Sequence, residues 1–153
     1  MKYLDKEIFD RANMFGANVP NDAFAQYFTG ESFLSPMVMP QDDLPLFISN
    51  VTFAPGCRNC WHVHTSDGPG GQQILICTAG EGWYVEEGKT PVELKEGVTV
   101  VIPANAKHWH GAKKDSWFSH ISIAAPGVHT DTKWLEPVSD EEYDWLHFNS
   151  FQI

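Results

Sequence analysis

Trp61-His62-Val63-His64 and, beyond a series of strand-like runs, Lys107-His108-Trp109-His110-Gly111 are the stretches whose reading decides the fold. Side chains two apart on a β-strand leave the same face. His62 and His64 can therefore grip one ion from a single strand, and His108 on another strand can complete the shell. Neutral imidazole on a rigid strand is a common way to hold a divalent transition metal. The bland alternative is a pair of surface histidines on an edge strand. The pattern as a whole points to a metal held within β-structure.

Outward from these stretches, residues 46–125 run as short apolar or alternating segments broken by turn residues. Strands are expected over Leu46–Phe53, Cys60–His64, Gln73–Thr78, Gly82–Glu86, Val92–Leu94, Val98–Ile102, His108–Gly111 and Trp117–Ala124. Between them lie Pro55-Gly56, Asp67-Gly68-Pro69-Gly70-Gly71, Glu87-Gly88-Lys89 and Lys95-Glu96-Gly97. Many short strands with Gly and Pro in the breaks read as an all-β antiparallel sandwich or barrel. Residues 1–45 form an N-terminal extension, weakly patterned up to a turn at Asn18–Asp22. A strand is expected there around Phe24–Phe28, to pair with the barrel or with a partner, followed by a Pro- and Asp-containing connection. Residues 126–153 form a C-terminal segment with one short helix over Ser139–Leu146. Ser139 is its expected N-cap, Glu142 completes a capping box, and Tyr143 and Leu146 form the apolar stripe.

A chain of 153 residues and 17.2 kDa is large enough for one hydrophobic core and one domain. Lys+Arg 10 against Asp+Glu 20 gives a net charge of −10, which disfavours nucleic acid and anionic membranes as partners. No apolar run approaches a membrane span, and Met1–Asp10 lacks the apolar core and cleavage site of a secretory signal. The expected compartment is cytoplasmic. Three cysteines, an odd number, do not suggest a disulfide framework.

Gly56, five residues, His62-Val63-His64, a loop, Gln73, six residues and Gly80 resemble the first motif of the cupin superfamily, with Gln73 where glutamate is usual. Gly97, five residues, Pro103-Ala104-Asn105, two residues and His108 resemble the second, with Asn105 where glycine is usual and Ala112 at the final asparagine. Both occur in the right order and spacing. The phrases Asn50-Val51-Thr52-Phe53, Gly70-Gly71-Gln72-Gln73-Ile74-Leu75 and Trp134-Leu135-Glu136-Pro137 are similar to the small single-domain cupins that accompany carboxymuconolactone decarboxylase-like proteins. That group includes manganese-dependent hydroxynitrile lyases.

The resemblance implies a jelly-roll β-barrel whose metal is held by His62, His64, Gln73 and His108, with His120 as catalytic base. It favours Mn(II), while the donor types also suit Fe(II), Ni(II), Co(II) or Zn(II). Three imidazoles and a carboxamide are all neutral, so the full +2 charge of the ion stays on the site and makes a stronger Lewis acid. Gln72 is the rival to Gln73, although only Gln73 keeps six residues before Gly80. His110 shares the face of His108 and is either beside the site or turned to solvent. His120 shares a face with Ser122, and a near-neutral pKa is expected of it as acid or base; the bland reading is a buried structural histidine. Cys77, in phase with Gln73, is expected in the pocket wall. A zinc site at Cys57, Cys60 and His62 would break the barrel ligand set.

The expected function is a metal-dependent, hydroxynitrile lyase-like reaction on a small molecule bearing a hydroxyl or carbonyl oxygen. The alternatives are an Fe(II) oxygenase or decarboxylase and a non-catalytic binding module. By analogy, the chain is expected to form a homodimer or higher homo-oligomer through Phe24, Tyr27, Phe28 and Phe33.

Overall fold

The alternation between residues 46 and 125 resolves into antiparallel ladders in a computed structural model that describes residues 1–17 and 19–148. In chain order, helix α1 (Lys6–Ala12) precedes β1 (Phe28–Thr29), β2 (Ser32–Val38), β3 (Phe47–Phe53) and β4 (Arg58–Asn59). Then come β5 (His62–Thr65), β6 (Gln73–Gly80), β7 (Gly82–Glu86), β8 (Val92–Leu94) and β9 (Thr99–Ile102). β10 (His108–Ala112), β11 (Phe118–Ala124), β12 (Asp131–Trp134) and helix α2 (Asp140–Phe148) complete the chain.

Two sheets face one another as a jelly roll. One has the order β2-β3-β11-β6-β9; the other runs β1-β4-β10-β5-β12, with β7 and β8 added from β10. Val51, Phe53, Leu75, Leu94, Ile102 and Phe118 fill the space between them at one end. Because side chains alternate along β5 and β10, the histidines point inward and the neighbouring tryptophans outward. Trp61, Trp83 and Trp109 pack outside, under Val138, Tyr143 and Leu146 of the C-terminal segment. On the other sheet, Phe9 of α1 packs with Phe33, Ala79 and Trp117.

Helix α2 begins as its sequence predicts. The Glu142 amide donates to Ser139 Oγ at 3.1 Å, and the Ser139 amide to Glu142 Oε2 at 2.9 Å. Buried Arg58 clamps the helix by donating to Val138 O at 2.9 Å and to Asp140 Oδ1 at 2.6 Å. Its guanidinium lies 4.5 Å from the centre of the Tyr143 ring. Gly80, the last residue of the first motif, has φ +76, and a Cβ there would sit 1.8 Å from Trp117 O, so only glycine fits.

Several elements differ from the sequence expectation. Phe24–Phe28 is not a strand: Ala25–Tyr27 forms a 3-10 turn, and only Phe28 enters β1. The Phe24 amide donates to Asn21 Oδ1 and the Tyr27 amide to Phe24 O, so local partners take the groups a ladder would use. The connection that follows contains a full strand, β2, which tolerates Pro36 because it lies at the sheet edge. α1 and β12 were not anticipated either. The turn expected at Asn18 starts outside the described residues; within it, the Asp22 amide donates to Pro20 O. Of the aromatic row expected at a dimer surface, Phe33 is buried beneath α1, Tyr27 and Phe28 are half-buried at a cavity, and Phe24 is exposed.

Candidate metal centre

His62 and His64 alternate along β5, and His108 of β10 stands directly opposite His62 in the ladder. Strand period and register thus deliver three imidazoles to one point, and their ring nitrogens lie within 4.8 Å of one another. The backbone and a hydroxyl tie each ring back through its other nitrogen. His62 Nδ1 lies 2.7 Å from Cys60 O, His108 Nδ1 2.9 Å from Ala106 O, and His64 Nδ1 3.1 Å from Thr132 Oγ1. A carbonyl oxygen can only accept, so His62 and His108 carry their protons on Nδ1 and present an Nε2 lone pair.

Burial then keeps these rings neutral. It pushes the His62 pKa well below its ordinary value, with neighbouring His108 and His64 adding to the effect. Burial likewise lowers His64, and it takes His108 to about 4. His64 Nε2 is buried without a hydrogen-bond partner. Gln73 donates from Nε2 to Ser122 Oγ at 2.9 Å, which turns its carbonyl oxygen towards the cluster, 3.4 Å from His108 Nε2. Two lone pairs that face each other with no proton between them, beside an orphaned imidazole nitrogen, are what a shared cation satisfies. The donor set therefore fits a divalent metal.

His110 and His120 lie next to this cluster and are almost fully buried. His120 Nε2 is 3.3 Å from His110 Nδ1, and His120 Nδ1 has no partner. Burial lowers the His120 pKa to about 4, correcting the near-neutral value expected from the sequence. The ring is neutral at pH 7. His110 receives Asn59 on its face: the amide nitrogen is 3.2 and 3.4 Å from the two ring nitrogens, while Asn59 Oδ1 accepts from the His110 backbone N–H at 2.9 Å.

A cavity of about 730 Å³ opens onto His62, His64, Gln73, His110, His120 and Ser122. Gln72 also lines it. His108 lies behind its fellow histidines and is not part of the lining. Cys77 belongs to the apolar core rather than to the cavity wall, and burial pushes its thiol up to about 12. Cys57 and Cys60 are buried free thiols.

The aromatic part of the wall was not anticipated. Trp134 of β12 leans on His62, with ring centres 4.7 Å apart and planes at 33°, and Tyr27 stacks on Trp134 at 4.4 Å and 4°. Only the Thr132–Trp134 alternation hints at this placement, because two residues carry no clear period.

Residues 49–123 match the cupin domain family. An (R)-mandelonitrile lyase from Granulicella tundricola is 34% identical over 128 residues, which span 84% of this chain and 94% of that protein. A cupin-like protein from Thermotoga maritima is 36% identical, with a TM-score of 0.76 over 87% of this chain and 96% of its own. A DMSP lyase from Ruegeria pomeroyi, 19% identical with a TM-score of 0.56, covers 92% of this chain and 63% of its own, and shares the fold.

Proposed function

The chain belongs to the cupin family, and on that premise we propose that it is a metal-dependent lyase acting on a small neutral molecule with a hydroxyl or carbonyl oxygen, cyanohydrin cleavage or its reverse being the best-supported reaction. The observation that carries this reading is a neutral histidine base in the same cavity as an inward-turned imidazole cluster. The mandelonitrile lyase named above supports it.

His62, His64, Gln73 and His108 are the proposed ligands, with Mn(II) as the proposed ion. A divalent ion held there supplies Lewis acidity towards a substrate oxygen or a departing anion. The remaining chemistry falls to His120. As a neutral imidazole it accepts the hydroxyl proton of the cyanohydrin. The oxygen electron pair then forms the carbonyl while the C–C bond breaks, and that bonding pair leaves on cyanide. Buried imidazolium is unstable where the pKa is held near 4, so His120 returns the proton to the departing cyanide. The products are an aldehyde or ketone and hydrogen cyanide, and the site is reset. Among the described residues lining the cavity, only Asp131 is charged, so the site offers no side-chain cation to a carboxylate substrate.

The test is elemental analysis by plasma mass spectrometry of protein purified without chelator or metal-affinity tag, with cyanohydrin turnover measured in parallel. One equivalent of divalent metal, lost in His64→Ala, is expected. His120→Ala should keep the metal and lose turnover by about 10²- to 10⁴-fold. Metal-free protein that also refuses added ions, or full activity in His120→Ala, overturns the reading. Oxygen consumption with an enol or catechol would instead favour an Fe(II) oxygenase.

A further inference from the structure

The three clustered imidazoles are tethered in two different ways. His62 and His108 donate from Nδ1 to backbone carbonyls, Cys60 O and Ala106 O, and an acceptor of that kind leaves the ring only one tautomer. His64 instead meets a side chain, its Nδ1 lying 3.1 Å from Thr132 Oγ1. A hydroxyl can donate or accept, so this contact is compatible with either tautomer of the ring.

Topology puts the hydroxyl there. β12 is the edge strand beside β5, and in their antiparallel register Thr132 stands directly opposite His64, with Trp134 opposite His62. The strand is pinned at this point: Thr65 Oγ1 donates to Asp131 O at 3.2 Å, and the Thr132 amide to Asp131 Oδ1 at 2.8 Å. With Nδ1 turned to Thr132, Nε2 is the nitrogen that His64 has left for the cluster. It is buried and has no hydrogen-bond partner. A ligand atom must present a lone pair, so a proton on Nε2 would occupy the place of the ion. The metal-competent ring therefore carries its proton on Nδ1, and Thr132 Oγ1 must then accept it.

We propose that Thr132 is a positioning residue of the metal centre: its hydroxyl accepts the Nδ1 proton of His64 and so holds that ring in the tautomer whose Nε2 lone pair is free for a divalent ion. This rests on the ligand set proposed above. Without the hydroxyl, Nδ1–H has no acceptor, which is unfavourable in a largely buried ring. The proton then moves to Nε2, on the side of the cluster, and the ion has to displace it. Outer partners of ligating imidazoles act on metal affinity in this way. His64 is the ligand where a substitution can remove that partner, because the tethers of His62 and His108 are backbone carbonyls.

Two measurements test this with wild type, Thr132→Val, Thr132→Ser and His64→Ala. Valine keeps the branched shape and suits a strand, so the variant deletes the hydroxyl and leaves the pairing. The first measurement is the dissociation constant for Mn(II), read from the paramagnetic resonance of the unbound ion. The second, on metal-free protein, is nitrogen NMR of the labelled imidazoles, which reports the ring nitrogen that carries the proton. Mn(II) affinity should fall by about tenfold in Thr132→Val and be retained in Thr132→Ser. The His64 proton should sit on Nδ1 in wild type and Thr132→Ser, and on Nε2 in Thr132→Val. Unchanged affinity in Thr132→Val beside lost binding in His64→Ala overturns the proposal. So does an equal loss in the serine and valine variants, or a wild-type His64 protonated on Nε2. If wild type takes up no Mn(II) but the proton still moves in Thr132→Val, the role of Thr132 towards His64 stands and the ligand reading falls.

Discussion

His120→Gln should flatten the acid sensitivity of folding. His120 is fully buried, and its pKa of about 4 contrasts with 6.5 for an unperturbed histidine. The unfolded chain therefore binds this proton more readily than the folded one, so stability falls as pH drops from about 6.5 towards 4 and levels off below. Setting the two titrations against each other, the His120 contribution lost between pH 7.5 and 5.0 is about 2 kcal/mol. Glutamine does not titrate, so the variant should lose about 2 kcal/mol less than wild type over the same interval. For a chain of this size that is roughly 1 M in the urea midpoint, given a slope of about 2 kcal/mol/M. The assay is urea unfolding of chelator-treated wild type and variant at both pH values. The other buried histidines titrate in both proteins, and because His120 also lowers the His110 pKa, the difference between the two falls reports His120 together with its coupling to His110. Equal falls in midpoint would refute the claim that His120 is neutral in the fold.

Gln73→Glu places a carboxylate among three neutral imidazoles and removes the donor to Ser122. Chelator competition should show tighter metal retention, while cyanohydrin kcat falls by about tenfold because the site charge is partly cancelled; weaker retention would count against Gln73 as a ligand. Tyr143→Phe deletes the buried hydroxyl that donates to Ala112 O at 2.6 Å. It should cost about 1–2 kcal/mol in urea unfolding and leave metal content unchanged, because the helix lies on the outer face of the sheet.

The fold was legible where period and turn chemistry agreed. β7 and β8 occupy Gly82–Glu86 and Val92–Leu94 as read from the sequence, since each is a short apolar run closed by glycine-containing turns. The three imidazoles were legible because a strand spacing of two is unambiguous and His108 follows a recognisable glycine-proline frame. β2 was lost because proline and polar residues break its alternation; a sheet edge accepts both. The 3-10 turn at Ala25–Tyr27 was read as a strand because its aromatic composition mimics one, whereas Asn21 supplies a local acceptor that alternation does not register. The His120 pKa was misjudged because sequence places the residue on an inward face without giving the depth of burial there.

The cavity wall draws on both the barrel strands and the terminal segments, and the two are anchored differently. The imidazoles sit on β5 and β10, whose opposite faces are committed to the tryptophan cluster beneath α2. A change on these strands disturbs both the donors and the packing that orients them. Tyr27 and Trp134 belong to a turn and an edge strand, joined to the domain by backbone hydrogen bonds that do not depend on the side chain. Substitution there alters the shape of the cavity while the histidine tethers at Cys60 O and Ala106 O remain. The reacting groups are thus bound to the core, whereas the turn can change its side chains without disturbing these tethers.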